Sequence, residues 1–145
     1  MSWHELTASA ERIRSTAVEA DPRLASLPLA GVGWATVEHV RAIDELDLAL
    51  GGGPPPAGSA PGRWTLLARD DALGARAWLR APVPGRPALV VLEPDTEGRL
   101  AASLARFGEG IAVVYLGADM VEPGRLVRGG PAWGPHVIVT GGGAS

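Results

Sequence analysis

The spacing of the apolar runs between residues 63 and 93 constrains this chain most. Three short stretches, 63–69, 76–81 and 88–93, have strand character and are separated only by turn material. The first break carries Asp70-Asp71 and Gly74, and the second is bounded by Pro82 and Pro87. A parallel connection needs about a dozen residues to cross back over a sheet, so these strands pair with sequence neighbours in antiparallel fashion. A largely antiparallel, curved sheet is therefore expected at the centre of the molecule.

Upstream, Ser2 and Glu5 have the spacing of a capping box, in which hydroxyl and carboxylate satisfy the free N–H groups of a first helical turn. Trp3, Leu6, Ala10, Ile13 and Ala17 follow at three- and four-residue steps and share one helical face. Asp21-Pro22 ends that helix, because the residue before a proline is driven out of the α region. Residues 25–28 read as a connector. Residues 30–38 alternate as a strand, with Val32, Trp34 and Thr36 on one face and Gly33, Ala35 and Val37 on the other. Helical spacing returns at 39–50 through Val40, Ile43, Leu46 and Leu50, and Gly51 suits a left-handed C-cap. Residues 51–62 are Gly/Pro-rich, cannot pack, and read as a surface loop.

After the strands comes a compact amphipathic helix at 99–107, with Leu100, Leu104 and Phe107 in line. Asp95 or Thr96 is placed to cap its start, and Gly108 to stop it. A strongly apolar strand at 111–116 is followed by weaker ones at 125–128 and 135–140, then a Gly-rich tail at 141–145 that is expected to fray. The order gives an α+β fold: an extra N-terminal helix (1–22), a βαβββ module (29–94), and a helix with a shortened second module (95–140). At 145 residues the chain fits one domain.

Composition excludes several functions. Cysteine is absent, so there is neither a disulfide framework nor a thiolate metal site. All 13 basic residues are arginines scattered singly, and the net charge is −3, so no basic stripe exists to neutralise a row of phosphates. Lys, Asn and Gln are also absent, which we attribute to a GC-rich coding sequence rather than to function. No apolar run approaches the roughly 20 residues that span a bilayer, and the start of the chain lacks the basic-then-apolar order of a secretory signal. A cytoplasmic protein that contacts neither nucleic acid nor membrane is expected.

One resemblance emerges from the residues themselves. Leu89-Val90-Val91-Leu92-Glu93-Pro94, the helix after it, Arg106-Phe107-Gly108-Glu109-Gly110 and the strand from Ile111 to Leu116 resemble the vicinal oxygen chelate superfamily. The likeness is to its methylmalonyl-CoA epimerase-like and glyoxalase/bleomycin-resistance-like members, and it covers about 29–116. It implies paired βαβββ modules, and a divalent metal held by His, Glu or Gln from four strands with open positions for vicinal substrate oxygens. Carried over residue by residue, those ligand positions fall near Val32, on Val90, on Val113 and around Val137 to Val139. Branched apolar side chains have no lone pair to donate to a cation, and slipping to Gly33, Val91 and Ala112 restores none.

The resemblance thus implies a cup without its metal, and no cofactor is expected. By alternation its candidate ligand-binding residues are Val32, Trp34, Thr36, Val90, Leu92, Val113 and Tyr115, with His136 reaching in from the last strand. Such an apolar, aromatic pocket suits a small hydrophobic or aromatic molecule. A homodimer is expected, since cups of this family are usually assembled from paired modules.

Other candidates are weaker. Glu93 or His136 as acid/base would make the protein a metal-independent isomerase or lyase, and an apolar face covered by a partner would make it an interaction domain. For Glu93, accepting backbone N–H groups at the turn into the following helix is the simpler role. His4, His39 and His136 have no metal-pair spacing. Ser59 and Ser103 lack a nucleophile elbow, and Gly51-Gly52-Gly53 and Gly141-Gly142-Gly143 lack the Lys-Ser/Thr of a phosphate loop. No catalytic residue is assigned. Trp133 is a candidate interface anchor.

Overall fold

A computed structural model of the protein describes residues 2–50, 64–81, 85–118, 120, 125–130 and 134–140. The expected loop at 51–62 with its Gly51 cap, Trp133 and the tail at 141–145 lie outside them.

Helix α1 (Trp3–Ala20) starts where the capping box placed it: the Ser2 hydroxyl accepts the Glu5 N–H at 3.1 Å. Its end at Asp21 is re-used at once. The Asp21 carboxylate accepts the Arg23 N–H and caps a 3-10 turn, Pro22–Ser26, whose first position holds the proline. The first half of the expected connector is therefore ordered turn.

The remaining elements are β1 (Leu29–Ala35), α2 (His39–Ala49), β2 (Trp64–Leu66), β3 (Ala75–Arg80), β4 (Ala88–Pro94), α3 (Arg99–Phe107), β5 (Gly110–Leu116), β6 (Arg125–Gly130) and β7 (Gly134–Val139). The strands form one seven-stranded sheet in the order β2-β3-β4-β1-β5-β7-β6. The β2–β3 and β3–β4 pairs are antiparallel, as their short connections require. The first module closes when β4 lies parallel to β1, and β1 then meets β5 antiparallel at the centre. Beyond that seam β7 runs parallel to β5, with β6 antiparallel outside it. The second half thus repeats the order of the first. Among the described residues it has no counterpart of α2 or β2.

The N-terminal helix compensates for that loss. Helix α2 packs on β4, whereas α1 lies across β1, β5 and β7 on the same face of the sheet. Leu6, Ala10 and Ala17 of α1 join Ala42 and Leu46 of α2 and Leu50 just beyond it in one buried cluster over Val32, Val91, Val114, Leu116 and Val137. The alanines at the contact let α1 approach the strands closely. On the other face, among the described residues, only α3 gives helical cover: Leu100 is buried with Ala35, Leu92 and Val113.

Helix α3 begins at Gly98 rather than through an Asp95 or Thr96 cap. Its free N–H groups find another partner, because the Leu100 N–H donates to the Leu73 carbonyl at 3.0 Å and the turn after β2 is latched onto the helix start. Gly98 has φ +124°, and a Cβ there would meet the Leu73 carbonyl at 3.3 Å, so close backbone approach requires the glycine.

Candidate ligand cavity

Strand register decides what faces the cup. Gly33 is paired with Val90 on one side and Val113 on the other, and Val113 is paired with His136. Val90, Leu92, Val113 and Tyr115 therefore share the sheet face that carries α3, as expected. Val32 and Trp34 do not. Val32 is in register with Leu89 and Trp34 with Val91, and both belong to the opposite cluster under α1 and α2. The β1 residues toward the cup are Gly31, Gly33 and Ala35 instead. Alternation correctly grouped Val32 with Trp34 but left the phase of β1 against its neighbours open, and the glycines carried the missing signal. Small residues at alternate positions mark a strand face that other atoms approach closely.

Thr36 also lies elsewhere. It is past the end of β1, fully buried, and its hydroxyl lies 2.9 Å from Glu109 Oε1 in the Gly108-Glu109-Gly110 turn. Glu109 additionally receives Arg41 Nη2 at 2.6 Å. Burial raises the Glu109 carboxyl, but the hydrogen bonds from Arg41 and Thr36 outweigh it and leave it below the ordinary glutamate value. This cluster ties the turn before β5 to the start of α2.

Glu93 is a second such clamp. It accepts the His39 backbone N–H at 2.9 Å, lies 2.9 Å from His39 Nδ1, and also accepts Arg76 Nη2. The His39 ring stacks on Trp78 with centroids 3.9 Å apart and planes 8° from parallel. The carboxylate thus caps α2, the preceding helix, and not the one that follows it. It stands on the helix-covered face, with both oxygens engaged, out of reach of anything held in the cup.

His136 does face the cup side, but is completely buried. Its Nδ1 lies 3.3 Å from the Ala112 carbonyl, and Nε2 has no hydrogen-bond partner among the described residues. The buried Ser103 hydroxyl is likewise unpartnered among them. Desolvation lowers the His136 pKa, as does Arg99, against smaller opposing effects of the Ala112 carbonyl and Asp70. Burial thus disfavours the charged imidazolium.

Where α3 gives way, the same face opens into a cavity of about 370 Å³. Its apolar lining comes from Leu67 after β2, Ala77 and Leu79 on β3, Val90 on β4, Tyr115 on β5, Leu126 on β6, Ile138 on β7 and the isolated Met120. The chain from Ala68 to Ala72 and Thr140 supply its polar edge. Of the residues expected to bind a ligand, Val90 and Tyr115 line this cavity. Leu92, Val113 and His136 share its face but do not line it. Leu67, Ala77, Leu79, Met120, Leu126 and Ile138 were not singled out from the sequence, although the alternation Ala75, Ala77, Leu79 already marks one face of β3.

The polar edge is held by ion pairs. Arg69 Nε lies 3.2 Å from Asp71 Oδ1, and Arg69 Nη2 contacts Asp95. The hydrogen bond from Arg69 holds the Asp95 carboxyl below the ordinary aspartate value. The Asp70 carboxylate accepts the Leu73 N–H at 2.9 Å and shapes the turn.

The donor set decides whether these residues suit the metal that the fold implies. On the cup face β1 presents Gly31 and Gly33, β4 presents Val90 and Leu92, β5 presents Val113 and Tyr115, and β7 presents His136 and Ile138. One imidazole without neighbouring donors does not make a divalent-cation site. Among the described residues no group of three His, Asp or Glu side chains gathers in a position to hold an ion. The described residues do not fit the metal that the resemblance implies.

No family model matches the sequence, and no curated protein matches it. Solved structures do. Two variants of Streptomyces coelicolor methylmalonyl-CoA epimerase in complex with 2-nitronate-propionyl-CoA are each similar at 14% identity with a TM-score of 0.50. The matches cover 80% and 81% of this chain and 99% and 97% of theirs. Methylmalonyl-CoA epimerase from Mycobacterium tuberculosis is 21% identical over 77% of this chain and 85% of its own, with a TM-score of 0.47. This chain shares its fold with these epimerases, which are members of the vicinal oxygen chelate superfamily. At such identities the likeness establishes the fold and no more.

Proposed function

We propose that the protein binds a small hydrophobic or aromatic molecule in the cavity between Leu79, Val90, Tyr115 and Ile138, without a metal. One observation carries this reading: the cup face holds a largely apolar cavity of about 370 Å³, and among the described residues no metal donors converge on it. That volume falls in the range, about 300–1,000 Å³, in which proteins enclose small ligands. Glu93 supports a binding role over acid–base catalysis, because its carboxylate is spent on His39 and Arg76 on the far side of the sheet.

The test is titration with N-phenyl-1-naphthylamine, a neutral probe that fluoresces on entering apolar surroundings. Saturable binding at one site is expected. It should be lost in Leu79→Trp and Leu126→Trp, which fill the cavity from partly exposed positions, and kept in Glu93→Gln. Equal binding by the filled variants would refute the site. Stoichiometric zinc, nickel, cobalt or manganese in purified protein would refute its metal-free character.

A further inference from the structure

We infer that the cavity selects ligands whose polar group is cationic or neutral, such as an amine or alcohol on an apolar body, and rejects anions, acyl-CoA thioesters included. This rests on the proposed binding role and adds the chemical class of the ligand. Among the described side chains that line the cavity, the charged ones are Arg69, Asp70 and Asp71. The lone cation is already engaged. Arg69 contacts Asp71 on one side and Asp95 on the other, so an anionic head group arriving at the edge would have to displace a carboxylate to reach it.

Asp70 cannot release Arg69 from that balance, since its carboxylate is fixed on the Leu73 N–H. Among the described side chains that line the edge, one positive charge, Arg69, stands against two negative ones, Asp70 and Asp71, a net −1, and Asp95 lies just behind as the second partner of Arg69. Asp71 is the accessible member, its side chain 90% exposed, and it can turn toward an ammonium group without unfolding anything. A phosphate-bearing ligand needs several cations or free N–H groups at its entry, and here the nearest described cation is doubly paired. The epimerases of the same fold were solved with a coenzyme A derivative.

The experiment is displacement of bound N-phenyl-1-naphthylamine by three probes with one body: 2-naphthylmethylamine, 2-naphthylmethanol and 2-naphthoate. Propionyl-CoA is tested alongside. The amine should displace best and the carboxylate worst, with a ratio on the order of fivefold, as partly exposed charges allow. Propionyl-CoA should fail to compete. The ratio should shrink in Asp71→Asn and in high salt, and grow in Arg69→Ala. If 2-naphthoate or propionyl-CoA matches the amine, or if the ratio is indifferent to Asp71→Asn, the inference is wrong while the cavity remains a binding site. If the reporter itself never binds, the binding role fails and the inference with it.

Discussion

Gly33 on β1 and Val113 on β5 stand so close that a Cβ built on the glycine would lie 2.8 Å from the Cβ of Val113. A Leu92 methyl would be equally near, at 2.8 Å. Gly33, Val90, Val113 and His136 occupy one row across four strands, so the place where a β1 ligand side chain would project is filled by its neighbours. That place is thus closed by packing, and among the described residues His136 is the one nitrogen donor in the row. Gly33→Ala should therefore destabilise the protein by about 1–3 kcal/mol, the usual cost of overpacking. Chemical denaturation reads this directly. Gly33→His should lose stability without gaining stoichiometric metal, and a well-folded metal-loaded variant would contradict the packing argument.

Helix α1 should be integral to the fold. Leu6 is 1% exposed and sits in the cluster that covers β5 and β7, so Leu6→Ala should cost about 2–5 kcal/mol in denaturant unfolding. A loss below 1 kcal/mol would mean that α1 is an appendage.

His136 should make stability sensitive to mild acid. Its folded pKa is depressed by burial, so its contribution is complete above the ordinary histidine value and declines as the pH falls from there toward the lowered one. Thermal melts of wild type and His136→Phe across this window should converge or cross as acid is added, because the phenyl ring takes up no proton. Parallel curves would show that the imidazole is not held neutral.

Glu93 acts lower on the pH scale. Burial raises its carboxyl, and the hydrogen bonds from His39 together with Arg76 more than reverse this, leaving the folded pKa below the ordinary glutamate value. Its stabilisation is present above the unfolded value and is lost as the pH drops through the folded one. Glu93→Gln should cost about 1–3 kcal/mol at neutral pH, the range for hydrogen bonds to a charged group, and flatten the acid limb of the stability curve.

The element order was legible because helices and strands have different periods, and because short turns left β2, β3 and β4 no other way to pair. The boundaries of α3 agree residue for residue with the expected 99–107. What alternation could not supply was the phase of one strand against the next. The resemblance puts a ligand position near Val32 and alternation groups Trp34 with it, yet the registers of β1 against β4 and β5 place both under the helices. Thr36 falls in the expected ligand set because a side-chain clamp to Glu109, far along the chain, leaves no mark in local sequence, and Glu93 does accept a backbone N–H at a helix start, but that of α2 rather than of the helix that follows it. The cavity itself depends on where α3 stops covering the sheet, which is a tertiary fact.

The most direct test of the binding site is methyl NMR of the assigned protein during titration with N-phenyl-1-naphthylamine, whose rings shift nearby resonances. Methyl signals of Leu79, Val90 and Ile138 should move together and saturate, while those of Val32, Leu89 and Val114 on the opposite face stay still. Movement confined to Val32, Leu89 and Val114 would place the ligand under the helices and contradict the cavity assigned to the cup.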